Sequence, residues 1–195
     1  MDKEEFFPFC AQPGAASALN QELMHQMSET TAPIPVAQFE QMLKDHQVFV
    51  DSGGRGGKWQ SLEVAGLTFA VYVGASATSG KQASFLNCNL SLLKLSGFNL
   101  ECIDFVNVYY KNGTFQNSNL KNCIFIDSIL INVDFSEADL SGSDFSRALM
   151  MDCQFCNSNL SNCDFENCNM SNSNFEGANT SGSRFPGAVL ENVKF

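Results

Sequence analysis

The sequence is poor in the residues that most often carry catalysis and metal binding. Among its 195 residues are only two histidines, His25 and His46, and one tryptophan, and charged residues make up 16% of the chain. Histidine is the side chain that titrates most readily near neutral pH and the commonest metal ligand. Both histidines lie in the first quarter of the chain, where we expect surface helices. We therefore expect no enzyme, no cofactor and no bound metal.

Positive charge is also scarce. Eleven Lys and Arg residues face twenty-one Asp and Glu residues, so the formal net charge is −10. A surface of this sign repels phosphate groups. Nucleic acid and anionic membranes are therefore excluded as direct partners.

The sequence contains no long hydrophobic run and no recognisable leader. The first ten residues, MDKEEFFPFC, are acidic and lack the basic region and apolar core of a signal peptide. The longest apolar stretch, residues 64–77, is too short and too interrupted by glycine to span a bilayer. We expect a soluble, cytoplasmic protein; a secreted bacterial effector is the alternative, since composition does not identify every transport signal.

The sequence is rich, instead, in large apolar residues spaced five apart. In SNCDFENCNMSNSNFEG, residues 161–177, the series is Phe165, Met170 and Phe175, and every multiple of five from Phe85 to Phe195 is Phe, Leu, Met or Tyr except Thr180. Five residues rotate an α-helix by about 500°, so the apolar side would spiral around its axis. In a strand, an odd step sends successive side chains to opposite faces. The chain must therefore turn one corner per repeat.

A second series of small residues, mostly Ser, Ala, Cys or Val, lies two positions before each large one. Units such as SNCDF, CNSNL, SEADL and FEGAN make the sequence resemble the pentapeptide-repeat proteins, whose loose motif is A(D/N)LxX. The resemblance covers about 110 residues. It implies an all-β fold, a right-handed four-sided β-solenoid with four repeats per coil. The residues agree, because one repeat cannot bury its apolar pair alone whereas stacked coils form a continuous core.

The cysteines follow the same repeat. Five of the eight occupy the small inward position: Cys88, Cys123, Cys153, Cys163 and Cys168. Residues on neighbouring coils differ by twenty, and no pair among these five does. We therefore interpret them as small core residues rather than as disulfides or metal ligands.

The repeats suggest a domain boundary near residue 59. Residues 1–58 would form an N-terminal extension with one or two helices and a glycine-rich loop, and residues 59–195 the solenoid. A short helix is possible over Ala15–Met27, and helical spacing of apolar residues favours a second over Val36–Val48. We interpret residues 59–73 as an irregular first turn of the solenoid.

Sorting the outward positions by face reveals one apolar region, which we call the apolar stripe. Elsewhere the outward residues are mainly Asn, Ser, Asp and Thr. An apolar surface this continuous must be covered by something. The N-terminal helix, a second copy of the chain and a partner protein all remain possible. The stripe comprises Tyr109, Ile124, Ile126, Ile129, Ile131, Leu149 and Met151.

These features indicate a non-enzymatic module that presents a rigid solenoid face to an unidentified protein partner, with a homodimer also possible. The alternative follows from the resemblance, because some pentapeptide-repeat proteins act on DNA gyrase by mimicking duplex DNA. Charge argues against it. About 26 Å of duplex carries about 15 negative charges, whereas residues 81–195 contain 12 acidic and 7 basic residues, a net of −5.

Overall fold

A computed structural model of the chain describes residues 32–54, 58–64, 67–73, 82–91 and 93–195. The chain divides into two compact units, Met1–Ala32 and Pro33–Phe195. In the described ranges the regular elements are α1 (Val36–Asp51), β1 (Lys58–Val64), β2 (Leu67–Val73), β3 (Tyr109–Lys111), β4 (Ile129–Ile131) and β5 (Leu149–Met151). No helix within these ranges is long and apolar enough to cross a bilayer. The helix predicted over Ala15–Met27 lies outside the described residues.

The repeats form a right-handed β-solenoid, as predicted. Backbone pairing is parallel and joins residues twenty apart, from Ser84 with Asp104 to Asn174 with Lys194. Five residues per side therefore give four faces per coil. We name each face by its interior residues: face D begins at position 85, face A at 90, face B at 95 and face C at 100, and each continues in steps of twenty. Face A contains the longest pairing, the parallel sheet β3–β4–β5.

The large residues of the repeat fill the interior, and phenylalanines stack along two of its faces. On face D, Phe145 lies between Phe125 and Phe165, with ring centroids 4.8 and 5.2 Å away and nearly parallel planes. On face B, Phe135 and Phe155 stack at 4.9 Å. Rings of these two opposite faces meet edge to face across the interior, as Phe135 and Phe145 do at 6.2 Å, an arrangement that aromatic quadrupoles favour. The interior is therefore a packed column of side chains rather than a channel.

The small residues bond to backbone as well as pack. Ser128 and Ser143 donate from their hydroxyls to the carbonyls of Phe105 and Leu120, each at 2.8 Å. The thiol of Cys123 makes the same kind of bond, to Leu100 O at 3.0 Å. Burial raises the pKa of Cys153 to about 12, so this thiol stays protonated and unreactive at neutral pH. Cys123, Cys153, Cys163 and Cys168 belong to the core, and Cys88 packs against it.

Asparagine and glycine dominate the corners because the backbone there is left-handed. The second residue after each large interior one has a φ between 51° and 74° at the described corners, as in Asn122 (55°) and Gly142 (74°). Glycine and asparagine adopt this conformation at the least steric cost. Stacked corner asparagines also bond along the axis, as Asn132 does to Asn112 at 2.9 Å. These bonds form asparagine ladders on the outside of the solenoid.

Strands β1 and β2 do not belong to the solenoid, and here the predicted first turn is wrong. They pair with each other in antiparallel register, with Trp59 opposite Tyr72 and Val64 opposite Leu67. Solenoid pairing begins at Ser84, about twenty-five residues after the predicted boundary at 59.

Helix α1 closes the N-terminal end of the solenoid. It matches the helix predicted over Val36–Val48 and extends it by three residues. The ring of Phe39 packs on Phe85 at 5.3 Å and meets Phe98 edge-on at 6.3 Å. Just before the helix, Ile34 N–H donates to Asn89 O at 3.1 Å and so continues the ladder of face A. Capping elements of this kind protect the open end of a repeat array.

Candidate interaction surface

The centre of the apolar stripe lies on face A. In β3, β4 and β5 the outward side chains of Tyr109, Ile129 and Leu149 are stacked in register one coil apart. All three are buried, and Ile129, the middle one, is only 3% exposed. Farther along the same ladder, Val189 is 38% exposed. Outward apolar side chains that stack on the neighbouring coils are therefore buried on this face, as the inward ones are.

The stripe continues around one corner onto face D. There Ile124 is buried and Ile126 is half-buried. The corner itself carries an ion pair between Arg147 and Asp127, with two parallel hydrogen bonds of 2.7 and 2.8 Å. A two-pronged arginine–carboxylate contact is directional and holds both side chains in place. Faces A and D thus form one apolar surface with a fixed charged corner within it.

Three stripe residues retain partial access to solvent. Ile126, Ile131 and Met151 are half-buried, and each directly follows the interior residue of its face. They are the positions at which another protein would touch the stripe first. The structure therefore separates the seven predicted residues into a buried set, Tyr109, Ile124, Ile129 and Leu149, and this accessible set.

Faces B and C present polar side chains at the equivalent positions. On face C the amide of Asn119 donates to Asn99 at 2.9 Å, and Asn159 donates to Asp139 at 3.1 Å. Each such side chain also accepts a bond from the backbone N–H two residues later, as Asp134 does from Ser136 at 2.8 Å. These contacts give the carboxylates and amides of faces B and C a structural role.

Titratable groups near the stripe are shifted by burial. Burial raises the pKa of the buried carboxyl of Asp104 on face D, although bonds from Val106 N–H and the Ser84 hydroxyl oppose the shift. Burial also raises the pKa of Tyr109. Within the described ranges, no group of three or more His, Cys, Asp or Glu side chains is arranged to hold a metal. The chemistry of this surface is therefore apolar contact bordered by hydrogen bonds.

Helix α1 does not lie where it would cover the stripe. The helix packs on Phe85 and Phe98 at the end of the solenoid, whereas the stripe lies on the outer sides of faces A and D. The buried apolar residues of α1 thus serve as an end cap. Sequence reasoning also assigned His46 to a surface, but its ring is buried against the first coil.

Comparisons with known proteins find similarity to one family model and to several solved structures. Residues 128–195 match the model of the pentapeptide repeat region. No curated protein matches the chain by sequence. Among solved structures, a pentapeptide repeat protein from the cyanobacterium Cyanothece 51142 superposes with a TM-score of 0.56 at 20% identity, over 57% of this chain and 90% of its own. At this identity the likeness shows the shared fold.

Two further solved structures are similar to parts of this chain. A pentapeptide repeat protein of the Arabidopsis thaliana thylakoid lumen gives a TM-score of 0.47 at 26% identity, over 48% of this chain and 66% of its own. A pentapeptide repeat protein involved in heterocyst differentiation regulation in Nostoc gives 0.36 at 18% identity, over 58% and 62%.

Proposed function

Because this chain carries a pentapeptide-repeat solenoid, we propose that it is a non-enzymatic interaction module that binds a partner protein through the apolar stripe. The observation that carries the proposal is the arrangement of Ile126, Ile131 and Met151, which stay half-buried around the buried Ile129. Interfaces typically place such apolar residues at the centre and polar residues at the rim. The filled interior leaves the outer faces as the surfaces available for recognition.

The partner we propose is a different protein with an apolar surface bordered by basic side chains. The stripe covers roughly 300 Å², taking ~3.3 Å per residue along each face and ~4.8 Å per coil. A specific interface buries about 800 Å² on each partner. The partner must therefore reach the surrounding rim, and a chain of net charge −10 favours a cationic one.

Lysine substitutions in the accessible part of the stripe test this proposal. We expect Ile131→Lys with Met151→Lys to weaken partner binding at least about tenfold, the equivalent of 1.4 kcal/mol, because two charges would enter an apolar contact. The matched control is Gln116→Lys with Ser136→Lys, since these residues are half-buried and occupy the equivalent positions on face B. The partner, identified by affinity capture on the wild-type chain, is purified and its Kd measured by calorimetry against all three proteins.

Equal weakening by both lysine pairs, or by neither, would contradict a role for the stripe. Far-UV circular dichroism and thermal melting establish that both variants are folded. Sedimentation of the wild-type chain and both variants tests the alternative that a second copy of the chain occupies the stripe. A wild-type dimer that is lost in the stripe variant but kept in the control would favour a homodimer over a different partner protein.

The DNA-mimic alternative gives an opposite expectation in a supercoiling assay. We expect no inhibition of DNA gyrase at sub-micromolar protein, because a net charge of −5 over residues 81–195 falls far short of the about 15 charges on duplex of equal length. Inhibition that disappears when Asp134, Asp139 and Asp144 are changed to Asn would favour the mimic instead.

A further inference from the structure

His46 joins helix α1 to the first coil through both ring nitrogens. Its side chain is buried, with 1% exposed. The backbone N–H of Ala83 donates to Nδ1 at 3.1 Å, and Nε2 lies 2.7 Å from the carbonyl oxygen of Glu101. An N–H donor requires a lone pair on Nδ1, and a carbonyl requires a proton on Nε2. The two contacts therefore select the neutral ring protonated on Nε2.

The ring donates to a carbonyl whose counterparts in later coils accept from backbone. Within the solenoid these carbonyls accept from the coil before them: Lys121 O from Cys102 N–H at 2.8 Å, and Ser141 O from Asn122 N–H at 3.0 Å. Glu101 occupies this position in the first coil, where the His46 ring supplies the donor. A buried carbonyl without a donor costs free energy. His46 is thus the hydrogen-bonding part of the cap, and Phe39 is its apolar part.

The surroundings of the ring disfavour its charged form. Burial lowers the pKa of His46, while the hydrogen bond to Glu101 O and the charge of the Glu101 side chain act in the opposite direction. On α1 itself the ring of Phe49 stacks at 5.6 Å, and the neighbouring Lys44 and Asp45 are exposed. On the first coil, the buried Asp104 is bonded to the Ser84 hydroxyl. Glu101 contacts the ring through its backbone carbonyl, and its side chain acts on the ring through its charge.

We propose that His46 is a proton-operated latch on the N-terminal cap. Protonation of Nδ1 replaces the acceptor for Ala83 N–H with a second donor, so the contact becomes repulsive and a buried charge appears. Helix α1 then separates from the first coil and exposes the apolar interior around Phe85 and Leu95. Acidification thereby converts a closed end of the solenoid into an open apolar surface.

The direction of the pH effect follows from linkage. A histidine whose folded pKa lies below the unfolded value of 6.5 contributes its full stabilisation above that value. The contribution is lost as the pH falls below 6.5 towards the folded pKa. Between pH 7.5 and 5.0 the equilibrium constant for opening of the cap therefore rises at most about thirtyfold. This limit is set by how strongly an exposed histidine becomes protonated over that range.

Hydrogen exchange of α1 at the two pH values tests the latch. After correction for intrinsic exchange rates, we expect peptides spanning residues 36–51 of the full chain to exchange between about threefold and thirtyfold faster at pH 5.0 than at 7.5. In His46→Gln this dependence should disappear, because glutamine retains a donor but does not titrate. His25→Gln is the control, since it removes the other histidine and should behave as wild type.

A pH-independent wild type, or a dependence that persists in His46→Gln, would overturn the proposal. Nitrogen NMR of the wild-type chain gives an answer that does not depend on the variant folding. It should show His46 protonated on Nε2 at pH 7.5 and titrating below 6.5. A charged His46 with α1 still protected would equally overturn it.

Discussion

Replacing Phe145 by Asp is expected to leave the protein unfolded. Phe145 is 0% exposed, stacked between Phe125 and Phe165 and in edge contact with Phe135 and Phe155. The substitution removes these contacts, worth about 3–5 kcal/mol for a large buried side chain, and adds the cost of an unpaired carboxylate in an apolar interior. Their sum approaches the total stability of a domain, about 5–15 kcal/mol.

Phe145→Leu is the matched control because leucine fills the equivalent interior position at Leu140 and Leu160 on face C. We expect it to fold with a lowered melting temperature. Circular dichroism and thermal melting distinguish the outcomes. A cooperative transition for Phe145→Asp near the wild-type temperature would mean that this side chain does not point inward.

Adding a methyl group at Gly113 is expected to be nearly as damaging. Tyr110 is the largest interior side chain, and its hydroxyl donates to Leu93 O at 2.9 Å and accepts from Thr114 N–H at 2.9 Å. Its ring occupies the space in which a β-carbon on Gly113 would lie. Gly113→Ala should therefore lower the free energy of unfolding by about 3 kcal/mol, within the range found for overpacked cores.

A second substitution should reverse most of this loss. In Tyr110→Leu with Gly113→Ala, both positions carry residues found in the regular repeats. We expect the double variant to be more stable than Gly113→Ala alone by at least about 1 kcal/mol, a coupling typical of residues in contact. Urea denaturation of the four proteins in the cycle measures it. Additive effects would indicate that the glycine is needed for its backbone and not for the ring.

The repeat register made the solenoid predictable because one residue type recurs at one geometric position. Phe145 and Cys153 could be assigned to the interior from spacing alone, and their burial agrees. Three positions of the small series carry large residues: Leu93, Phe98 and Ile103. They lie in the first coil, where Phe98 meets Phe39 of α1 and the pairing of Asn99 with Asn119 continues undisturbed.

Other features were not accessible from the same pattern. The apolar residues of 59–73 did not reveal that β1 and β2 pair with each other as an antiparallel hairpin, so both strands were wrongly assigned to the solenoid. The position of α1 depends on contacts between segments far apart in sequence, such as His46 with Glu101. The corners, by contrast, carry a local signal. Most have asparagine or glycine as the second residue after the large one, and this composition indicates a positive φ there.

For the stripe, periodicity identified which residues share a face but not their burial. Tyr109, Ile129 and Leu149 are covered, whereas Ile131 and Met151 keep partial access, although all five point outward from face A. This difference depends on side-chain packing in three dimensions, which a one-dimensional repeat does not contain.

The twenty-residue coil also governs which changes in chain length the protein could tolerate during evolution. Loss or gain of one complete coil would shorten or lengthen the stack, while every downstream residue kept its face. Loss of a single five-residue unit would turn the downstream part by a quarter revolution. The surface around Ile129 would then be divided between two sides of the molecule, although the core remained filled. Selection on a binding surface would thus appear as insertions and deletions in multiples of twenty, and selection on folding alone as multiples of five.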